Sequence, residues 1–216
     1  GHPRASALGH RQASRPGRCW RRGELREPPA RHKGAASNDK NPRCCWDEPG
    51  DHALGRSRGG LSTKIHAAVD GRGRALVILL TPGQSGDAPM MLPLLAAIRV
   101  ERPRGRPRTR PDRVLADKAY SSKAIRTHLR ARRIGAVIPE PEDQKGHRAR
   151  RGSAGGRPVS YDKNAYKGRN VVERAFNTVK HWRGLATRYD KHALVYRGAL
   201  ILAASLHWLT DLGDTS

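Results

Sequence analysis

The sequence predicts a layered α/β domain, and three observations carry that prediction. Short strand-like apolar runs alternate with helical ones through most of the 216 residues. Those runs are bounded by Gly, Pro, Asp and Ser, the residues that break or cap regular structure. The last two segments carry their apolar residues at helical spacing and are long enough to cover a sheet.

In chain order, residues 1–52 show neither a period of 2 nor one of 3.6, and are dense in Gly, Pro, Ser, Ala and Arg. That composition predicts a basic segment of low order. Residues 61–69 (LSTKIHAAV) and 75–80 (ALVILL) predict two strands. Asp70-Gly71-Arg72-Gly73 joins them as a hairpin turn, and Asp70 reads as a turn residue. Asp87 reads as an N-cap, with Pro89 in the first turn of an apolar helix reaching about Val100. Residues 99–113 carry seven arginines interleaved with prolines and predict an exposed basic loop. Residues 114–116 form a short buried-strand run ending on Asp117, and Ser121 or Ser122 caps a helix running to about Arg133. Residues 135–139 (GAVIP) predict another strand. A polar loop over 140–162 follows, with five Lys and Arg between 145 and 157. A helix over 163–183 and a more apolar one over 193–212 complete the chain.

Charge narrows the function. The net charge of +24 implies a polyanionic partner, most simply nucleic acid. Residues 1–52 hold 11 Lys and Arg against 6 Asp and Glu, a net of +5, which leaves +19 for the rest. The most apolar stretch, the eight residues 199–206, falls short of the ~20 of a membrane span. With no leader-like start either, a membrane or exported location is not expected. Cys19, Cys44 and Cys45 make neither a disulfide framework nor a CxxC pair, and a reducing cytoplasm is expected. The ten histidines show no ligand spacing and read as surface residues.

Against this basic background two acids stand out. Asp117 follows an apolar strand run at its carboxyl end, where α/β sheets place functional groups. Taken alone it also reads as a helix-initiating Asp. Glu173 belongs to a set: Tyr166, Arg169, Glu173 and Lys180 fall within a ~60° arc of one helix face. Val171, Val172, Ala175, Phe176, Val179 and Trp182 form the apolar face behind them. A plain Arg169–Glu173 pair would contribute only ~0.2–0.5 kcal/mol, and it does not explain all four residues.

Tyr166-x2-Arg169-x3-Glu173-x6-Lys180 resembles the Tyr-Arg-Glu-Lys signature of DDE-type bacterial insertion-sequence transposases. Two upstream blocks, DHALGRSRGGLSTKIHAAVDGRGRAL and VLADKAYSS, resemble the same family in the same order. The resemblance implies an RNase H-like catalytic domain over residues 53–212. It implies DNA cleavage and strand transfer at element ends, and an Asp-Asp-Glu carboxylate set holding Mg²⁺ or Mn²⁺. Asp117 corresponds to the second Asp and Glu173 to the Glu, as catalytic and metal-binding residues. Tyr166, Arg169 and Lys180 correspond to DNA-contacting residues, and the basic loops 99–113 and 145–157 to backbone contacts. The implied partner is double-stranded DNA, the implied assembly a dimer or larger, and the implied location the bacterial cytoplasm at the nucleoid.

One part of the pattern is absent. The first Asp belongs on the first core strand, and the sequence shows no such strand before residue 55. Asp39, Asp47 and Asp51 follow no apolar run, and only Glu24 and Glu27 are acidic near the position implied by residues 31–37. The first core strand is therefore expected to be missing or degenerate, in a truncated or frame-disrupted copy whose first 52 residues are not family-like. The competing expectation is a catalytically inactive DNA-binding remnant.

Overall fold

A computed structural model describes residues 5–14 and 48–213. They form a six-stranded mixed sheet with helices on both faces. The strands are β1 (Ala5–Ser14), β2 (Gly55–Ser57), β3 (Gly60–Asp70), β4 (Ala75–Pro82), β5 (Arg113–Ala116) and β6 (Gly135–Val137). The helices are α1 (Met91–Ala97), α2 (Lys123–Ala131), α3 (Glu142–Arg150), α4 (Lys163–Lys167), α5 (Asn170–Lys180), α6 (Arg183–Thr187) and α7 (Ala193–Gly213).

The sheet runs β3-β1-β5-β6, and β2 and β4 share the other edge of β3. β1 is antiparallel to β3, with His10 opposite His66, and parallel to β5, with Leu8 opposite Ala116. A strand therefore lies beside β5, where the first core strand was expected to be missing or degenerate. Its ten residues, ASALGHRQAS, include no Asp or Glu. Asp39, Asp47, Glu24, Glu27 and the three cysteines lie outside the described residues.

Side-chain alternation divides the core. Ile65, Ala67 and Val69 of β3 and Leu115 of β5 face α5 and α7, meeting Val172, Phe176, Tyr196 and Leu200. Ala68, Val114 and Ala116 face α1 and α2, meeting Met91, Leu94, Ile125 and Leu129. At the β3–β4 turn Asp70 is fully buried. It accepts from the amides of Arg72 and Arg74, and its other oxygen pairs with the Arg74 guanidinium at 2.6 Å. Arg74 lies 4.1 Å over the ring of Trp208, whose indole donates to the Ala75 carbonyl. Asp70 is the turn residue expected, and it also fastens the end of α7.

Five local expectations are corrected. Asp87 makes no side-chain cap and instead pairs with Lys64 at 3.0 Å, ahead of a short 3-10 turn leading into α1. The polar loop after residue 140 contains α3, which buries no side chain. The single helix over 163–183 is three pieces. Bonds from residue i to i−3 join α4 to α5 (Gly168 to Ala165, Arg169 to Tyr166), a tighter winding than α-helix. Trp182, expected on the apolar face, caps α6 and is 48% exposed. Finally, over residues 193–210 α7 is long and apolar enough by length and composition to cross a membrane, at mean hydropathy 1.3. Its inner line of Ala193, Tyr196, Leu200 and Ala203 packs on the sheet.

Candidate functional site

The carboxyl end of β5 and the start of α5 build the site. Val114 and Ala116 are buried, so the strand delivers Asp117 to the sheet edge as it emerges from the core. Asp117 is half-buried in extended backbone, and its carboxylate accepts from the Lys118 amide at 2.6 Å. A 3-10 turn over Lys118–Tyr120 follows, anchored by the fully buried Tyr120 ring. Burial and the nearby carboxylates of Asp87 and Asp117 push the Tyr120 phenol well above its ordinary range.

The α4–α5 joint lies over the same strand. A methyl group added at Gly168 would crowd the Ala165 carbonyl at 3.1 Å and would meet Leu115 Cδ2, two residues before Asp117, at an ordinary 3.5 Å, so the joint packs against the end of β5. That packing brings Tyr166 within electrostatic reach of Asp117. Burial raises the Tyr166 phenol, Arg169 opposes that rise, and Asp117 adds to it. Arg169 stands 5.9 Å over the Tyr166 ring and donates to Glu173 Oε1 at 2.8 Å. Tyr161 adds an edge-on contact with Tyr166 at 5.7 Å.

Tyr166, Arg169 and Glu173 are therefore one connected group, and Asp117 faces it through Tyr166. Lys180 is exposed at the far end of α5, about 10 Å along the axis from Glu173. The tight α4–α5 winding does not separate the first three residues, because i→i−3 bonds keep the chain turning in the same sense. α5 packs on β1 and β3, so Glu173 rides on the helix that covers the central strand.

As metal ligands, Asp117 and Glu173 each engage one described partner at one oxygen and leave the other oxygen open. Hard carboxylate oxygens suit Mg²⁺ or Mn²⁺. Among the described residues the pair does not gather a third ligand. The β1–β5 register ends at Leu8 opposite Ala116, one residue before Asp117. Two carboxylates offer the hard oxygen donors that such a cation prefers, and are one short of the three of a two-metal centre.

Sequence spacing missed a second cluster. Glu48, His52 and His192 bring three ligand-type atoms within 4.8 Å of one another, although His192 lies far from the others in sequence. Glu48 accepts from the amides of Ala193 and Leu194, both at 2.8 Å, and from His52 at 2.6 Å. Burial raises its carboxyl, but the Leu194 amide, His52 and the Ala193 amide outweigh that and hold it at about 2. Both oxygens thus cap α7, whose amino end carries partial positive charge and disfavours a cation.

Arg188 was also unforeseen. It is 2% exposed, at φ 47°, and donates to the carbonyls of His52 (2.6 Å) and Ala53 (3.0 Å) and to the Thr63 hydroxyl. Its guanidinium also lies 5.1 Å over Tyr196.

Comparison with known proteins places the chain among relatives. Residues 34–208 match the family model described as the transposase DDE domain. The chain is 34% identical over 164 residues to a putative transposase for insertion sequence element IS402 of Burkholderia cepacia, covering 74% of this chain and 69% of the relative. It is 31% identical over 149 residues to a putative transposase for insertion sequence element IS6501 of Brucella ovis, covering 69% of this chain and 99% of the relative. No solved structure matches.

Proposed function

The chain belongs to the transposase DDE domain family, and from that premise we propose that it cuts and joins DNA at the ends of an insertion sequence. The catalytic part on this reading is residues 53–212, an RNase H-like domain completed by β1, acting on double-stranded DNA at the nucleoid as a dimer or larger assembly. The observation that carries the reading is the Tyr166–Arg169–Glu173 group facing Asp117 across the end of β5.

Asp117 and Glu173 would hold the divalent cation, Mg²⁺ or Mn²⁺, whose chemistry is to activate an oxygen nucleophile and neutralise charge on the phosphoryl group under attack. The protein's own contribution is placement. Arg169 fixes the rotamer of Glu173 and presents its remaining guanidinium donors toward a phosphate. Tyr166 offers a hydroxyl and a ring face beside Asp117. Lys180, a flexible point charge, extends the contact along α5.

The test is cleavage of a duplex carrying the element's terminal repeat, run with Mg²⁺ or Mn²⁺ and with chelator. Metal-dependent nicking or joining that disappears in Asp117→Asn and in Glu173→Gln is expected. Cleavage that survives either substitution overturns the reading. A second reading, a chain that binds DNA without cutting it, rests on the lack of Asp or Glu in β1. Tight binding with no cleavage under any metal would select it.

A further inference from the structure

Beside Asp117 a cleft of about 450 Å³ opens between α2 on one side and α3 with its following 3-10 turn on the other. The turn after Asp117 runs directly into its floor, at Ser121. The walls are locked together. Gln144 donates to the Ser121 carbonyl at 2.6 Å, and Arg126 donates to both Ser121 Oγ and the Ile138 carbonyl at 2.8 Å. Arg148 forms an ion pair with Glu140, the one acid lining the cleft.

Its cations therefore divide into two sets. Arg126 and Arg148 are occupied within the walls. Lys123, Arg130, Arg151 and Arg157 line the same space, are exposed, and make no side-chain hydrogen bond or ion pair among the described residues. Arg148 neutralises Glu140, and Arg126 bonds only neutral acceptors, so the cleft presents five uncompensated positive charges, four of them on side chains free to turn to a ligand. Such a field concentrates polyanions, and arginine forks match phosphate oxygens.

We propose that this cleft clamps the sugar–phosphate backbone of the DNA strand running to or from Asp117, without reading its bases. The proposal rests on the reading of DNA as substrate and sharpens which basic residues hold it. Three of the five cations in the 145–157 segment drop out: Lys145 pairs with Glu142, Arg148 pairs with Glu140, and Arg150 does not line the cleft. Lys123 and Arg130 of α2, outside both basic loops, come in.

The experiment is equilibrium binding of the full chain to a fluorescent 30-base-pair duplex, without divalent metal, across 50–300 mM KCl. It is run in an Asp117→Asn background, so that binding is read apart from cleavage. The cleft variant carries Lys123→Gln, Arg130→Gln, Arg151→Gln and Arg157→Gln. A control removes the same charge outside the cleft and both basic loops, with Arg56→Gln, Arg58→Gln, Arg174→Gln and Lys191→Gln, all exposed. Each lost phosphate contact lowers the slope of log K against log salt by about 0.9. The cleft variant is expected to lose about 3 to 4 slope units and at least tenfold in affinity at 200 mM, while the control loses one unit or less. A slope within one unit of the parent, or an equal loss in the control, overturns the clamp. Tighter binding of an RNA duplex than of DNA overturns the assignment to DNA. Arg130→Gln alone, expected to lose about one unit, serves if the fourfold variant fails to fold. Intact slope loss in a chain without cleavage leaves the clamp standing while the catalytic reading fails. Normal cleavage with an unchanged slope does the reverse.

Discussion

Replacing Arg188 with Met removes a buried fork while keeping much of the side-chain length. The guanidinium makes two firm bonds to carbonyls, at 2.6 Å to His52 and 3.0 Å to Ala53, one to the Thr63 hydroxyl, and a weak one at 3.4 Å to Lys191. Bonds from a charged donor contribute about 1.5–3 kcal/mol each. The two carbonyl bonds set a loss of about 3–6 kcal/mol, and the Thr63 hydroxyl, which still donates to the Ala53 carbonyl at 2.5 Å, holds it toward the lower end. A Met side chain against Tyr196 and relief from burying a charge offset part of this, and the expected net loss is about 2–4 kcal/mol. Urea unfolding at a slope of about 2 kcal/mol/M should show the midpoint falling by about 1–2 M. Arg188→Lys, which keeps the charge but not the fork, should lose most of the same amount. A double-mutant cycle with Thr63→Val should give a coupling of at least about 0.5 kcal/mol. A midpoint for Arg188→Met within 0.25 M of the parent, about 0.5 kcal/mol at that slope, would refute the account.

Other outcomes follow from the same geometry. Phe176→Ala, at a site 6% exposed in the core under α5, should lower stability by about 3–5 kcal/mol in the same unfolding assay. Glu173→Gln should change stability by less than about 0.5 kcal/mol, because the Arg169–Glu173 side chains are 28% and 46% exposed. Glu48 titrates lower in the fold than in the unfolded chain, so its contribution is complete above about pH 4.5 and is lost as the pH falls toward 2. Acid unfolding should therefore separate the parent from Glu48→Gln at neutral pH, with the difference shrinking through that window. Asp70→Asn should cost about 3 kcal/mol by breaking the buried pair with Arg74, read by thermal unfolding.

Local periodicity explains which parts were legible from sequence. β3, β4, β5, β6, α2 and α7 each declare themselves through apolar residues that stay in one element, and their order implies the layers. The Arg169–Glu173 pair was legible for the same reason, since four residues along one helix fix its geometry. α3 was not, because a helix with no buried side chain has no apolar period. Its available signal was charge, with Glu142 and Asp143 in the first turn and Arg148 and Arg150 in the last. The joint at Gly168 packs on Leu115 of another element, and the Glu48 cap answers to the start of α7. β1 was the largest miss. Its partners are residues 62–70 and 115–116, and its place depends on them rather than on its own pattern.

That placement bears on how the molecule assembles during synthesis. β1 leaves the ribosome before β3 and β5, yet it needs β3 on one side and β5 on the other, and the residue opposite Leu8 is Ala116. The nascent chain must therefore carry an unsatisfied strand, open along both edges, until the hundred or so residues that separate it from β5 have emerged. Closing so long a loop delays the sheet, and parallel pairing with β5 cannot be rehearsed locally as a hairpin can. The hairpin of β3 and β4 supplies the first stable edge, and β1 adds to it in waiting. Expression at lower temperature or with holding chaperones should favour recovery of the native chain, because it protects that open strand until β5 arrives.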